Sequence, residues 1–147
     1  MDENLGTTIS QVARLLRRSF DERARAMGVT RPQWQVLSAL RRHEGIKQGG
    51  LAEILEVEPI TAGRMIDRLQ EAGLVERRPD PADRRVWRLC MTDRGRELLD
   101  QIRPLGDETS EMAFEGVSQS DRLQLYETLV KVRANLARRA DAEDCAS

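Results

Sequence analysis

Apolar residues recur at helical spacing along most of the chain. Ile9, Val12, Leu16, Phe20 and Met27 mark a first helix over residues 9 to 27, with Thr7 or Thr8 as its cap and Gly28 as its stop. "TRPQWQVLSALRRHEG" predicts a second, with Thr30 as cap and Pro32 in the first turn. It turns Trp34, Leu37 and Leu40 inward and ends at Gly45. "KQGGLAEILEV" supplies Leu51, Ile54 and Leu55 for a third, whose start Gly49 and Gly50 push later because each costs about 1 kcal/mol inside a helix. A fourth runs from Pro59 to about Gly73. "LVERR" and "VWRLCMT" are the good strand candidates, and the proline-rich "RRPDPADRRVW" joins them as a hairpin. Thr92 caps a fifth helix through Leu98, Leu99 and Ile102, with Pro104 as a kink or break. "SQSDRLQLYETLVKVRANLARR" closes the chain, capped by Ser118 or Ser120, with Leu123, Tyr126, Leu129, Val130 and Val132 as apolar positions.

Two short helices joined tightly, the second followed at once by a hairpin, give a mainly α fold with a small β-hairpin wing, the order of a winged helix-turn-helix. Such modules place the second helix in a DNA major groove and the hairpin against the backbone or minor groove. At 100 degrees per residue, Ala62, Met65, Ile66 and Leu69 gather on one side of helix 59 to 73. Ile60, Gly63, Arg64, Asp67 and Glu71 gather opposite, flanked by Thr61 and Arg68. The outward face therefore carries arginines, a hydroxyl, and a glycine that lets a ligand come close to the backbone.

Charge sharpens this picture. The 147 residues carry a formal net charge of -1, yet Leu74 to Arg96 hold seven bases, all arginine, against four carboxylates. Arginine forms bidentate bonds to phosphate and guanine, so a local arginine excess points to nucleic acid more than a lysine excess does. With only 3% aromatic residues the core is modest for one chain, which favours a core shared between subunits. No apolar stretch reaches the roughly 18 residues a membrane span needs, and "MDENLGTT" lacks the features of a signal peptide, so the expected location is cytoplasmic. There is no phosphate-cradling glycine loop and no nucleophile with a base. His43 has neighbours suited to a helix end rather than to a catalytic or metal site. The chain is read as no enzyme, with no cofactor and no metal.

"LAEILEVEPITAGRMIDRLQEAGLVERRPDPADRRVWRLCMTDRG" resembles the core of the MarR family of bacterial regulators through "DRLQEAGLVER", "DRR" at the wing tip and "L-x-M-T-D-R-G". "RPQWQVL" is closest to its SlyA branch. The resemblance implies a homodimer that binds a pseudo-palindromic double-stranded DNA operator and, as for many members, lets go when a small phenolic or aromatic ligand acts on it. It implies residues 1–30 as an N-terminal helix in the dimerisation region, 31–95 as the winged helix-turn-helix, 96–140 as C-terminal dimerisation helices and 141–147 as a disordered tail.

Carried over by position, Arg64 matches a base-reading arginine and Thr61 an early hydroxyl reaching base or phosphate. Pro59 and Ile60 meet thymine methyls or sugars. Arg85 matches the wing arginine of the minor groove, where narrow A·T-rich sequence concentrates negative potential. Asp83 pairs with Arg77 or with Arg85 itself and so fixes the aim, while Arg84 and Arg68 position phosphate. For Arg68 the alternative is an ion pair with Asp67 or Glu71. The resemblance also implies a pocket where the first, second and fifth helices approach the dimer interface, at Val12, Leu16, Arg17, Phe20, Trp34 and Leu37. Core packing explains those residues equally well. Gly49, Gly50 and Gly63 depart from the family pattern. The competing readings are a winged-helix module for a protein partner, and a MarR-type activator or redox-responsive regulator using Cys90, a position where a small buried hydrophobe is the default.

Overall fold

The computed structural model describes residues 4–146. Six helices and one hairpin follow in order: α1 (Leu5–Ala26), α2 (Arg31–Arg42), α3 (Gln48–Leu55), α4 (Pro59–Glu71), β1 (Val75–Pro79), β2 (Trp87–Met91), α5 (Asp93–Ala113) and α6 (Gln119–Ala146). This is the winged helix-turn-helix expected from the sequence. The chain divides after Thr109 into two compact units.

Local chemistry sets the boundaries in the first unit. Asn4, not Thr7 or Thr8, caps α1: its side chain accepts from the Gly6 N–H at 2.9 Å, so the helix starts four residues before the predicted position. At the other end Gly28 takes φ +80°, its N–H reaching the Arg25 carbonyl and the Val29 N–H the Ala24 carbonyl, a Schellman closure. Thr30 caps α2 as expected, and Gln33 completes a capping box with it. Contrary to expectation, α3 begins at Gln48 and includes Gly49 and Gly50. A Cβ on Gly50 would stand 2.9 Å from the Ile46 side chain, so close approach, rather than helix propensity, accounts for that glycine.

The core gathers Leu37 and Leu40 of α2, Leu51 of α3, Ile66 and Leu69 of α4, Leu74 and Val75 leading into β1, and Leu89 of β2. Burying each such side chain contributes about 1.5–3 kcal/mol. Leu99 and Ile102 of α5 join the same cluster. The first half of α5 therefore packs within this unit. A buried carboxylate links the first two helices: Asp21 accepts from Trp34 Nε1 at 2.7 Å and Arg31 Nε at 2.6 Å.

β1 and β2 pair antiparallel from Val75 opposite Met91 to Pro79 opposite Trp87. On the other edge of β2, the Gly45 N–H donates to the Leu89 carbonyl and the Leu89 N–H to the Ile46 carbonyl, both at 2.9 Å. The connector from α2 to α3 is thus tied to β2 by two backbone hydrogen bonds.

Helix α5 runs through Pro104 without the expected break. Pro104 and Asp100, whose carbonyl loses its helical donor, are both exposed, so water can satisfy that group. In the second unit, Ser118 caps α6 by accepting from the Asp121 N–H. Arg122 closes the preceding turn, donating to the carbonyls of Phe114 and Val117 at 2.6 and 3.0 Å. Helix α6 continues through residues 141–146, where a disordered tail was expected. No glycine or proline interrupts it after Gln119, and alanines favour the helix. Its Leu123, Tyr126, Leu129, Val132 and Leu136 are exposed in the single chain.

Candidate nucleic-acid interface

The N-terminus of α4 and the wing tip supply the candidate site. Pro59 opens α4 where its missing N–H costs nothing, and Ala62, Ile66 and Leu69 bury the opposite face. This leaves Ile60, Thr61, Arg64 and Arg68 exposed, with Ile60 at 71%. Neither Arg64 nor Arg68 forms an ion pair or hydrogen bond among the described residues. The alternative of an ion pair for Arg68 is not realised, because Asp67 is taken by Arg77 and Glu71 by no arginine. Gly63 departs from its expected role: it is half-buried, and a Cβ there would meet Gln48 Nε2 at 2.9 Å. Gln48 Nε2 also donates to the Pro59 carbonyl at 3.2 Å. The end of the Gln48 side chain thus lies over Gly63 and links α3 to the first turn of α4.

The wing tip is built by two aspartates with separate tasks. Asp80 is buried and accepts from the backbone N–H groups of Ala82 and Asp83 at 2.7 and 3.2 Å and from Arg88 Nε. Arg88 also donates to the Gly45 carbonyl at 3.1 Å, which ties the tip to the α2–α3 connector. These donors, the Ala82 N–H foremost and Arg88 next, hold the Asp80 carboxyl below the ordinary aspartate range. Sequence reasoning counted Asp80 only as a charge. A signal was present in its place two residues before Ala82 in a proline-rich turn, the spacing of an Asx turn.

Asp83 accepts from Arg85 Nε at 3.1 Å, from Nη2 at 3.3 Å and from the Arg85 N–H at 3.0 Å. The Arg85 side-chain bond, then its backbone N–H, lowers the Asp83 pKa. Of the two partners open to Asp83 in the sequence, the structure selects Arg85. Arg77 is engaged elsewhere, with Gln70 and Asp67 of α4. Despite its partner, the Arg85 side chain is 90% exposed, oriented but still accessible. Arg84 is exposed and carries no partner among the described residues. Of the remaining local bases, Arg78 pairs with Glu76, Arg88 with Asp80, and Arg96 with Glu44 and Asp93. Arg94, at the start of α5, is exposed with no partner among the described residues. Ion pairs thus take up part of the arginine excess, and the cations left outward lie at the wing tip, on α4 and at the start of α5.

Acid should loosen this tip. A depressed carboxyl pKa contributes stability that is present above the ordinary aspartate pKa and lost as pH falls through the folded value. Asp80→Asn is therefore expected to lower the unfolding midpoint at neutral pH, with the gap to the parent closing in acid; thermal melts across pH check this, and a gap that stays constant would remove the carboxylate from the account.

Of the residues expected to line a ligand pocket, Leu37 is in the core and Phe20 and Trp34 pack against it. Phe20 and Trp34 pack edge to face, centroids 4.8 Å apart and planes at 72°, while Leu37 is fully buried behind them. Val12 and Arg17 are exposed on α1 and Leu16 is half-buried. An open cleft of about 350 Å³ lies beside the end of α1, α2 and α5, lined by Gly28, Gln33, Leu74, Arg94, Leu98 and Gln101, none of them among the six expected pocket residues. Cys90 is 7% exposed in β2 and Cys145 is exposed; both are free thiols. No group of three or more metal-ligating side chains occurs among the described residues, and no described helix is long and apolar enough to cross a membrane.

The family model described as MarR family matches residues 29–87. The chain is 28% identical over 130 residues to an uncharacterized HTH-type transcriptional regulator, YybA, of Bacillus subtilis (strain 168), covering 88% of this chain and 87% of that protein. Its fold matches wild-type MarR (apo form) from E. coli with a TM-score of 0.82 at 28% identity, over 90% of this chain and 98% of that one. A cysteine-to-serine mutant of E. coli MarR complexed with operator DNA matches with a TM-score of 0.73 at 29% identity, over 87% of this chain and 92% of that one.

Proposed function

Since the chain belongs to the MarR family of transcriptional regulators, we propose that it binds a pseudo-palindromic operator in double-stranded DNA as a homodimer. It represses transcription by occupying the promoter, in the cytoplasm and without catalysis or a cofactor. The observation that carries this reading is the pairing of two outward cations on one compact unit: unpartnered Arg64 on α4 and Arg85 aimed by Asp83 on the wing. Arg64 reads guanine in the major groove. Thr61, Pro59 and Ile60 approach bases and sugars at the start of α4, where Gln48 lies over Gly63. Arg85 enters the minor groove while Arg84 and Arg68 hold phosphates. Residues 31–95 form the reading unit.

The exposed apolar residues Leu5, Ile9, Val12 and Leu15 of α1, and those of α6, favour dimerisation through the terminal helices, residues 1–30 and 96–140. A small phenolic or aromatic ligand at the junction of α1, α2 and α5 then releases DNA by changing the separation of the two recognition helices, which must sit about 34 Å apart to read successive turns. The buried thiol of Cys90 does not favour a redox input.

Selection of bound fragments from the source genome, with and without phenolic compounds, tests this reading. An enriched palindrome that disappears with a ligand is the expected result. Affinity should fall steeply with salt, as release of counterions from several phosphates requires; a shallow slope would favour a protein partner instead. Arg64→Ala is expected to cost about 1–3 kcal/mol, concentrated at one base position per half-site. Equal weakening on all sequences would make Arg64 a phosphate contact.

A further inference from the structure

Between α4 and the wing base, Arg77 spans the two elements. From β1 its Nη1 donates to Gln70 Oε1 at 2.7 Å, and Nη2 lies 2.7 Å from Asp67 Oδ1. Asp67 and Gln70 are three residues apart on α4, and Arg64 lies three residues before Asp67 on the same flank. The Arg77 side chain is only 24% exposed. Opposite Arg77 in the hairpin stands Leu89, buried and pinned on its far side by Gly45 and Ile46. The arginine therefore joins the recognition helix to the firmest part of the wing.

The covalent link between the same two elements is residues 72–74, and Thr92 holds it at the Gly73 and Leu74 carbonyls. It passes through Gly73, which has φ +75°. A planar guanidinium that engages two acceptors on one helix resists rotation about this link, which a lysine-like point charge would not. An exposed pair of this kind contributes at most about 1 kcal/mol to stability, so its value to the fold is small. Its value to geometry is larger: over a strand run of roughly 10 Å, a swing of about 10° at the base displaces the tip by about 2 Å. That is a sizeable part of the roughly 3.4 Å step along a DNA strand.

We infer that Arg77, through Asp67 and Gln70, is a positioning residue that sets the offset between Arg64 and Arg85, and hence how many base pairs separate the major-groove and minor-groove contacts that the chain accepts. The inference rests on the DNA-reading function proposed above. Arg77 itself touches no DNA.

The experiment uses the full chain, the enriched operator, and operators in which the A·T-rich flank is moved by one base pair. Arg77→Met keeps the apolar stem and removes the fork. It is expected to bind the native operator about tenfold more weakly, to penalise the shifted flank at least threefold less than the parent does, and to keep the parent's salt slope and unfolding midpoint. The charge-swapped pair Asp67→Arg with Arg77→Asp should recover much of the discrimination. If Arg77→Met loses structure, Asp67→Asn, altered at an exposed residue, provides the same readout. An unchanged penalty for the shifted flank overturns the inference. A salt slope reduced by about 1 overturns it too, by making Arg77 a phosphate contact. A parent chain that enriches no fragment overturns the DNA-reading function itself, a result distinct from either.

Discussion

Arg85→Ala is expected to weaken operator binding about a hundredfold or more while leaving the fold intact. The side chain is 90% exposed and its bonds run only to Asp83, so little packing is lost with it. The loss falls on binding because the arginine is already oriented. Asp83 grips both its guanidinium and its backbone N–H, so less side-chain entropy remains to be lost on entering a narrow groove. In a dimer the loss counts once per half-site. Titration of the enriched operator at fixed salt, beside a thermal melt, measures both sides of the expectation. Near-parent affinity would remove the wing from recognition, and a lowered melt would show that the tip is part of the scaffold.

The largest effect on stability is expected at Gly95. A methyl group built there stands 2.2 Å from the Leu74 carbonyl oxygen, 3.1 Å from its carbon and 3.3 Å from Leu37 Cδ2. The first two are backbone atoms held in place on either side: the Leu74 carbonyl accepts from the Thr92 N–H at 3.1 Å, and Thr92 Oγ1 donates to the Gly73 carbonyl at 2.6 Å. Thr92 Oγ1 also accepts from the Gly95 N–H, capping α5. To admit a methyl group, α5 must move away from the turn that leads from α4 into the wing, and Leu99 and Ile102 must move with it. Gly95→Ala should cost about 3 kcal/mol, the upper end of the range for overpacking. Denaturant unfolding decides the point: a loss under about 1 kcal/mol would mean that α5 shifts freely on the core.

Gly95 also explains the glycine of "MTDRG", one of the anchors of the resemblance, by close packing and not by any role at the site. Much of the fold was legible in this way because its signals are local. Thr30, Gly28 and Gly73 mark helix ends through bonds within a few residues, and the hairpin follows from two strand-like runs around a proline-rich turn. The misreadings arose where propensity alone was used and a neighbouring side chain or exposure decided the outcome. Gly49 and Gly50 looked like poor helix formers, but the side chain of Ile46 occupies the space beside Gly50. Pro104 looked like a kink or break, but it and Asp100 are exposed, so the carbonyl left without a donor is not sealed from water. Asn4 caps the helix in place of the threonines because its side-chain oxygen reaches forward to accept from the Gly6 N–H.

The candidate site divides in the same manner. Helical periodicity alone placed Arg64 and Arg68 outward. It could not show that Gln48 lies across Gly63, that Asp80 is the buried node of the tip, or that Arg77 leaves Asp83 for α4. Each depends on contacts between elements, about which spacing along the chain says nothing. Leu37 illustrates the opposite limit: an inward position on an amphipathic helix gives the same pattern whether it lines a pocket or fills the core.

The short pairing of Gly45 and Ile46 with β2 bears on how copies behave when crowded. A two-stranded hairpin standing alone presents two open edges, each able to accept a strand from another molecule. Here the connector occupies the edge of β2 at Leu89, and β1 is a five-residue strand bearing Glu76, Arg77, Arg78 and Pro79. Charge and a missing amide make it a poor template. The wing is thereby guarded against edge-to-edge aggregation, and its extended strands do not add a route to cross-β assembly.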